Sequence, residues 1–81
     1  MKTRQYTVIF EPAEEGGWLA HVPALNGLTT EGETIEEATA MVQDAIQGYL
    51  EALRSANRPI PSDFVTAELS QLNMSKLNIA I

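Results

Sequence analysis

Apolar and polar residues alternate over residues 5–10 and again over residues 18–22, which is the spacing of a half-buried strand. Pro12 and the Gly16-Gly17 pair separate the two runs, so they are expected to form an antiparallel hairpin. Pro23 ends the second run, and the turn signal Asn26-Gly27 predicts a third, shorter strand over residues 28–31. The first third of the chain therefore predicts a small antiparallel sheet.

From Thr34 to about Ala56, apolar residues recur every three or four positions, which predicts a helix with one apolar stripe. Thr34 and Glu37 have the spacing of a capping box, which marks the start of a helix. Asn57 and the prolines that follow it mark the end. Because the helix has one apolar stripe, it is expected to cover one face of the sheet and to leave the other face open.

Two apolar segments follow the helix. A fourth strand is predicted near residues 65–69, and the final residues alternate Leu77, Ile79 and Ile81. An apolar strand at a chain end needs a neighbour, and we expect pairing between subunits, with these three residues at the interface of a homo-oligomer. The predicted fold is α+β in the order β-β-β-α-β, with a three- to four-stranded antiparallel sheet and one long helix at about 34–56. Residues 1–81 form one domain, with a core at about 5–70 and a strand-like tail at 71–81.

Charge narrows the class of partner. The 81 residues include 11 acidic and 5 basic side chains, a net charge of −6, which opposes direct binding to nucleic acid. This negative charge would attract a basic protein partner, although the same charge could serve only to keep the protein in solution. Cysteine is absent, which excludes disulfides and thiolate chemistry. No signal peptide or membrane-spanning pattern occurs, so we expect a cytoplasmic protein without membrane contact.

Candidate chemistry is sparse. His21 is the only histidine, and no cysteine accompanies it to complete a metal site. No serine lies in a nucleophile elbow. The acids Glu31, Glu33, Glu36 and Glu37 could hold a hard cation, but helix capping accounts for two of them and no EF-hand spacing is present. The sequence predicts a binding protein with no catalytic residues, no metal and no cofactor.

The predicted binding surface combines the first hairpin with the entry to the helix. Trp18 opens the second strand, where an aromatic side chain serves either as a core anchor or as an interface hot spot. The residues expected to contact a partner are Glu11, Glu14, Glu15, Trp18, His21, Glu31 and Glu33.

Five short motifs in order resemble the HicB-like antitoxin family between about residues 6 and 61. They are Tyr-Thr-Val-Ile-Phe-Glu-Pro at 6–12, Glu-Glu-Gly-Gly-Trp at 14–18, Val-Pro-Ala-Leu-Asn-Gly at 22–27, Glu-Gly-Glu-Thr at 31–34 and Glu-Glu-Ala at 36–38. The resemblance implies a partial ribonuclease H fold. It also implies a partner, the small basic HicA toxin, which cleaves mRNA and whose catalytic histidine the antitoxin masks.

Relatives in that family often carry a C-terminal DNA-binding domain. No second helix pattern follows Pro61 here, so no separate DNA-binding domain is expected. Leu28 stands where many relatives have cysteine after the turn glycine.

Three functions are compatible with these observations. An antitoxin that neutralises a HicA-type toxin agrees with the motifs and the charge, whereas a stand-alone, self-associating structural or regulatory domain agrees with the apolar tail. A degenerate nuclease ranks last, because no acid lies inside the first two strands.

Overall fold

The computed structural model describes residues 3–63 and 73–80. Four strands and one long helix follow each other in the predicted order β-β-β-α-β, with a short 3-10 turn at Pro23–Leu25. The elements are β1 (Thr3–Pro12), β2 (Trp18–Val22), β3 (Leu28–Gly32), α1 (Ile35–Ser55) and β4 (Asn73–Ala80). The α+β class is confirmed, and the predicted strand at residues 65–69 lies outside the described residues.

The strands form one four-stranded sheet in the order β3-β2-β1-β4, and every neighbouring pair is antiparallel. β1 is longer at both ends than its alternation predicted, because it pairs with two neighbours over different stretches. Residues 9–12 pair with β2, whereas residues 3–10 pair with β4. β2 has the predicted bounds, and β3 ends one residue later than predicted.

The structure corrects the expectation that the last strand pairs between subunits. One edge of β4 pairs with β1 of the same chain, with Tyr6 opposite Leu77 and Arg4 opposite Ile79. Ile79 is 2% exposed and belongs to the chain's own core, which gives the strand the neighbour that its apolar side required. Ile81 lies outside the described residues, and an oligomer interface at this strand stays a prediction.

The hydrophobic core lies between α1 and one face of the sheet. Alternate β1 residues point toward the helix and are fully or almost fully buried, namely Tyr6, Val8 and Phe10. The helix contributes buried residues at the predicted spacing of three to four, namely Ala38, Val42, Ile46 and Leu50. Both sets belong to one buried hydrophobic cluster, which joins the helix to the sheet.

The helix begins and ends at the residues that the sequence indicated. Thr34 is the N-cap, and its hydroxyl accepts a hydrogen bond of 3.0 Å from the Glu37 backbone N–H. The Glu37 carboxylate accepts from the N–H of Glu33, one residue before the group that a standard capping box uses. Asn57 has a φ of 58°, the left-handed conformation that ends the helix. No helix among the described residues has the length and hydropathy needed to cross a membrane.

The outer face of the sheet, opposite the helix, is open only in part. It is formed by alternate residues that include Ile9 and Thr7 of β1, and these two are 6% and 0% exposed. Asp63, which follows the helix, binds Thr7 through both of its carboxylate oxygens. The prediction of an open outer face is therefore wrong at β1, where the outer side chains Thr7 and Ile9 are buried. It is confirmed at β3, where Thr29 and Glu31 are exposed on that face.

Candidate functional site

Five carboxylates from separate parts of the chain converge at one end of the molecule. Glu15, Glu31, Glu33 and Glu37 line a cleft of about 370 Å³ together with three glycines. Glu14, Glu15 and Glu31 line an adjoining cleft that also includes Leu19. We call this set the acidic surface, and it consists of Glu14, Glu15, Glu31, Glu33 and Glu37, all of them exposed.

Glycines bring the loop between β1 and β2 against the end of β3. Gly16 and Gly17 have φ values of 97° and 81°, which other residue types rarely adopt. A Cβ atom on Gly17 would lie 2.7 Å from the Gly32 carbonyl oxygen, so the two backbones meet without room for a side chain. The hairpin acids and the helix-entry acids become neighbours because of this close approach.

Helix capping fixes the other side of the cleft. Glu37 lies in the first turn of α1, and its carboxylate oxygen is 3.1 Å from the Glu33 backbone nitrogen. The free N–H groups of a helix start favour nearby negative charge, which reduces the electrostatic cost of grouping these carboxylates. No group of three or more metal-ligating side chains suited to an ion occurs among residues 3–63 and 73–80. The five carboxylates are exposed, so the surface presents negative charge to the solvent.

His21 joins three strands on the outer face. Its Nδ1 is 2.8 Å from the Thr29 hydroxyl, and its Nε2 is 2.5 Å from a carboxylate oxygen of Glu11. The Thr29 hydroxyl is also 2.8 Å from the Gly27 carbonyl oxygen, which extends the network to the turn before β3. His21 and Glu11 are thus tied to each other, and their role in this network is to connect β1, β2 and β3.

Leu19 connects the histidine network with the acidic surface. Strand pairing places Glu11 opposite Leu19 and Leu19 opposite Glu31, which gives one row across the outer face. Leu19 is half-buried, and it contributes an apolar side chain between two carboxylates. Leu19 was not among the residues predicted to contact a partner, and the signal that identifies it is its alternation with Trp18 and Ala20 in β2.

The seven residues predicted to contact a partner do not all lie together. The acidic surface includes Glu14, Glu15, Glu31 and Glu33, and Glu11 with His21 lies beside it on the outer face. Trp18 lies on the helix side, where it packs against the core, because its neighbour Leu19 faces outward. Glu37 lines the cleft as well, although its sequence position indicated only a capping role.

A second polar cluster surrounds Asp63. One carboxylate oxygen accepts from the Thr7 N–H at 2.8 Å, and the other accepts from the Thr7 hydroxyl at 2.8 Å and from Lys76 Nζ at 3.0 Å. Burial acts to raise the pKa of Asp63, but the hydrogen bonds from Thr7 and Lys76 outweigh it and hold that pKa below its ordinary value. This cluster joins the segment after the helix to β1 and β4.

Tyr6, on the helix side of β1, also binds the segment that follows the helix. Its hydroxyl donates to the carbonyl oxygen of Pro61 at 2.6 Å. Burial raises the pKa of Tyr6, and the charge of Asp63 adds to the rise while that of Arg4 opposes it. The bonds of Tyr6 and Asp63 therefore have a structural role, because they hold residues 61–63 against β1.

Known families and proteins resemble this chain over most of its length. The family described as "HicB_like antitoxin of bacterial toxin-antitoxin system" matches residues 6–78. A UPF0150 protein of Thermoplasma acidophilum is 42% identical over 59 residues, which span 73% of this chain and 86% of that protein. A UPF0150 protein of Synechocystis is 38% identical over 68 residues, which span 83% of this chain and 86% of that protein.

One relative has a functional name. The protein called Antitoxin HicB 1, from Photorhabdus laumondii, is 36% identical over 76 residues, which span 86% of this chain. The matched region is 49% of that relative, so this chain corresponds to about half of its length.

Proposed function

Because this chain belongs to the HicB-like antitoxin family, we propose that it binds and neutralises a small basic toxin of the HicA type. It acts by occupying the surface of the toxin and catalyses no reaction itself. The stand-alone alternative is a domain that performs a structural or regulatory role without a toxin.

The acidic surface is the observation that carries this proposal. Its five carboxylates come from the first hairpin, from β3 and from the start of α1, and all are exposed. Clustered charge of one sign steers a partner of opposite charge and raises the rate of association. A basic toxin supplies that opposite charge through its lysine and arginine side chains.

The outer face beside the acidic surface supplies a second element of recognition. Leu19 is half-buried between Glu11 and Glu31, and a protein interface usually places an apolar centre within a polar rim. The glycine loop presents Glu15 next to this centre. We infer that the toxin contacts Leu19 and pairs its basic residues with the surrounding carboxylates.

The test uses as ligand a small basic protein encoded beside the gene for this chain, and the lack of any such gene would favour the stand-alone role. The double variant Glu15→Lys and Glu33→Lys reverses two charges of the acidic surface. The matched control, Asp44→Lys and Glu51→Lys, makes the same charge change on the exposed side of α1. Isothermal titration calorimetry measures both affinities, and growth under toxin expression measures protection.

We expect the first variant to weaken binding by about a hundredfold or more and to lose protection, since each reversed charge opposes a basic side chain of the toxin. The control should change affinity by less than about threefold, since its charges lie outside the interface. Equal loss in both variants would show that net charge alone drives binding. Absence of binding by the unchanged chain would favour the stand-alone role.

A further inference from the structure

The turn between the 3-10 helix and β3 includes the pair Asn26-Gly27, whose chemistry the proposed binding function does not use. Both residues are exposed, and both have positive φ values, 59° for Asn26 and 73° for Gly27. Glycine and asparagine tolerate this conformation, which accounts for their place in the turn. The pair also puts a side-chain amide next to a peptide nitrogen that has no neighbouring side chain, and asparagine is a thermolabile residue.

Asparagine loses its side-chain amide through attack by the backbone nitrogen of the next residue. That nitrogen must lose its proton and approach the asparagine Cγ, which requires the peptide group between the two residues to rotate. A hydrogen bond from the N–H opposes both steps, and a side chain on the next residue obstructs the approach. Intramolecular attack is strongly favoured once the reacting atoms are free to meet. The environment of one peptide group therefore decides whether the reaction occurs.

The peptide group between Asn26 and Gly27 is unrestrained within the described part of the chain. Neither its carbonyl oxygen nor its N–H forms a hydrogen bond to another backbone group there. A Cβ atom on Gly27 would have no heavy atom within 4 Å among residues 3–63 and 73–80. The Gly27 carbonyl oxygen, on the far side of that residue, lies 2.8 Å from the Thr29 hydroxyl. The Gly27 nitrogen thus has room to turn toward the Asn26 side chain.

Asn57 provides an internal comparison, because it has a similar conformation in a restrained setting. Its φ is 58°, and it is exposed at the end of α1. The N–H of the next residue, Arg58, donates to the Leu53 carbonyl oxygen at 2.8 Å. This bond belongs to the turn that ends the helix, so it holds the Arg58 nitrogen in place, and the Arg58 side chain adds an obstruction. Asn57 therefore lacks the two conditions that Asn26 meets.

We propose that Asn26 is a site of covalent modification at which this chain deamidates. The Gly27 nitrogen loses its proton to hydroxide and bonds to the Asn26 Cγ, the bond from Cγ to Nδ2 breaks, and ammonia leaves with a proton from water. A water molecule then opens the cyclic succinimide at one of its two carbonyl carbons. The products at position 26 are aspartate and isoaspartate, and in isoaspartate the main chain passes through the side-chain carbon atoms.

Each product changes the surface in a specific way. Both have a carboxylate that is ionised at neutral pH, which adds one negative charge to the net charge of −6. Isoaspartate also lengthens the main chain ahead of Gly27, so it displaces the Gly27 carbonyl oxygen from the Thr29 hydroxyl. Because that hydroxyl is 2.8 Å from His21 Nδ1, isoaspartate also alters the histidine network. Aspartate tolerates the left-handed conformation and leaves the network in place.

Timed incubation of the full chain at physiological temperature and mildly alkaline pH tests the proposal. Trypsin then releases residues 5–54, in which Asn26 is the only asparagine, and residues 55–76, which include Asn57. Mass spectrometry follows conversion of amide to acid in each peptide, and fragmentation locates the modified residue. We expect conversion at Asn26 to be at least about tenfold faster than at Asn57. Methyl transfer from S-adenosylmethionine by a protein-isoaspartate methyltransferase measures the isoaspartate formed.

Asn26→Gly is the matched control, because glycine accepts the φ of 59° and has no amide to lose. Residues 5–54 of this variant should keep their mass and accept no methyl group. Urea provides a second control, since unfolding frees the Arg58 N–H from Leu53. It should accelerate the reaction at Asn57 far more than the reaction at Asn26.

Retention of the Asn26 amide in the folded chain, under conditions in which the urea-unfolded chain reacts, would overturn the proposal, since the turn would then restrain the peptide group. Equal rates at Asn26 and Asn57 in the folded chain would overturn it as well. NMR signals of the His21 ring should shift in the isoaspartate form. These readouts are covalent or spectroscopic and use no toxin, so this proposal and the proposed function are tested independently.

Discussion

At the scale of single residues, Asp63 joins parts of the chain that are distant in sequence. Its carboxylate binds the Thr7 N–H, the Thr7 hydroxyl and Lys76, and its side chain is 16% exposed. Thr7 is fully buried, so loss of this acceptor would leave a buried N–H without a partner. A single carboxylate thereby holds the segment after α1 against both β1 and β4.

Asp63→Asn should lower the free energy of unfolding by about 1–2 kcal/mol near neutral pH, because the charge that attracts Lys76 and strengthens both Thr7 bonds is lost. The pKa of Asp63 is lower in the folded chain than in the unfolded chain. Its stabilisation is therefore present above the unfolded pKa of about 3.9 and disappears as the pH falls through the folded pKa.

Urea denaturation of both proteins from about pH 7 down to about pH 2 measures this difference. The gap between unchanged chain and variant should be constant above about pH 4 and should close in more acidic solution. Asp44→Asn, on the exposed side of α1, serves as the control and should show no such gap. A gap that widens toward acid would contradict the assigned role of Asp63.

At the scale of elements, the junction between β3 and α1 is the tightest contact that positions the acidic surface. A Cβ atom on Gly32 would lie 2.5 Å from the Ala38 backbone nitrogen and 2.9 Å from the Ala38 Cα. The strand end and the first turn of the helix therefore touch through their backbones. Gly48, in the middle of α1, has open space where its Cβ would lie.

Gly32→Ala and Gly48→Ala make the same chemical change and should have opposite effects on stability. Gly32→Ala forces the helix away from β3 and should lower the free energy of unfolding by about 2–3 kcal/mol. Gly48→Ala should raise it by about 0.5–1 kcal/mol, because alanine favours an exposed helix interior. Thermal unfolding followed by circular dichroism measures both, and a neutral Gly32→Ala would show that the junction can relax.

At the scale of the whole molecule, the net charge of −6 is unevenly distributed. The acidic surface lies at the β3 end of the sheet, whereas β4 at the other end has one charged residue, Lys76. We expect this polarity to direct the proposed basic toxin to the β3 end of the sheet.

Salt should separate the electrostatic part of toxin binding from the rest. Raising the ionic strength from about 0.1 M to about 1 M shortens the screening length from about 10 Å to about 3 Å. We expect the association rate with the toxin to fall by about tenfold or more, while the dissociation rate changes less. Stopped-flow fluorescence of a dye-labelled toxin measures both rates. A salt-independent association rate would exclude steering by the acidic surface.

Local pattern in the sequence determined the elements and the element order. Alternation identified β1 and β2, and the Asn26-Gly27 turn signal indicated β3. The period of three to four together with the Thr34 cap and Asn57 identified α1 to within a residue. These signals suffice because they act between residues close in sequence, where backbone geometry sets the spacing. Charge and motif order likewise indicated an acidic protein of an antitoxin family.

Only the tertiary structure decided contacts between residues far apart in sequence. β4 pairs with β1 of the same chain, and Asp63 binds Thr7. Trp18 packs against the core, whereas Leu19 faces outward. The tertiary structure also brings Glu15 and Glu37 to one cleft through the backbone contact of Gly17 with Gly32. Such contacts depend on how finished elements pack against each other, and no spacing along the chain encodes that packing.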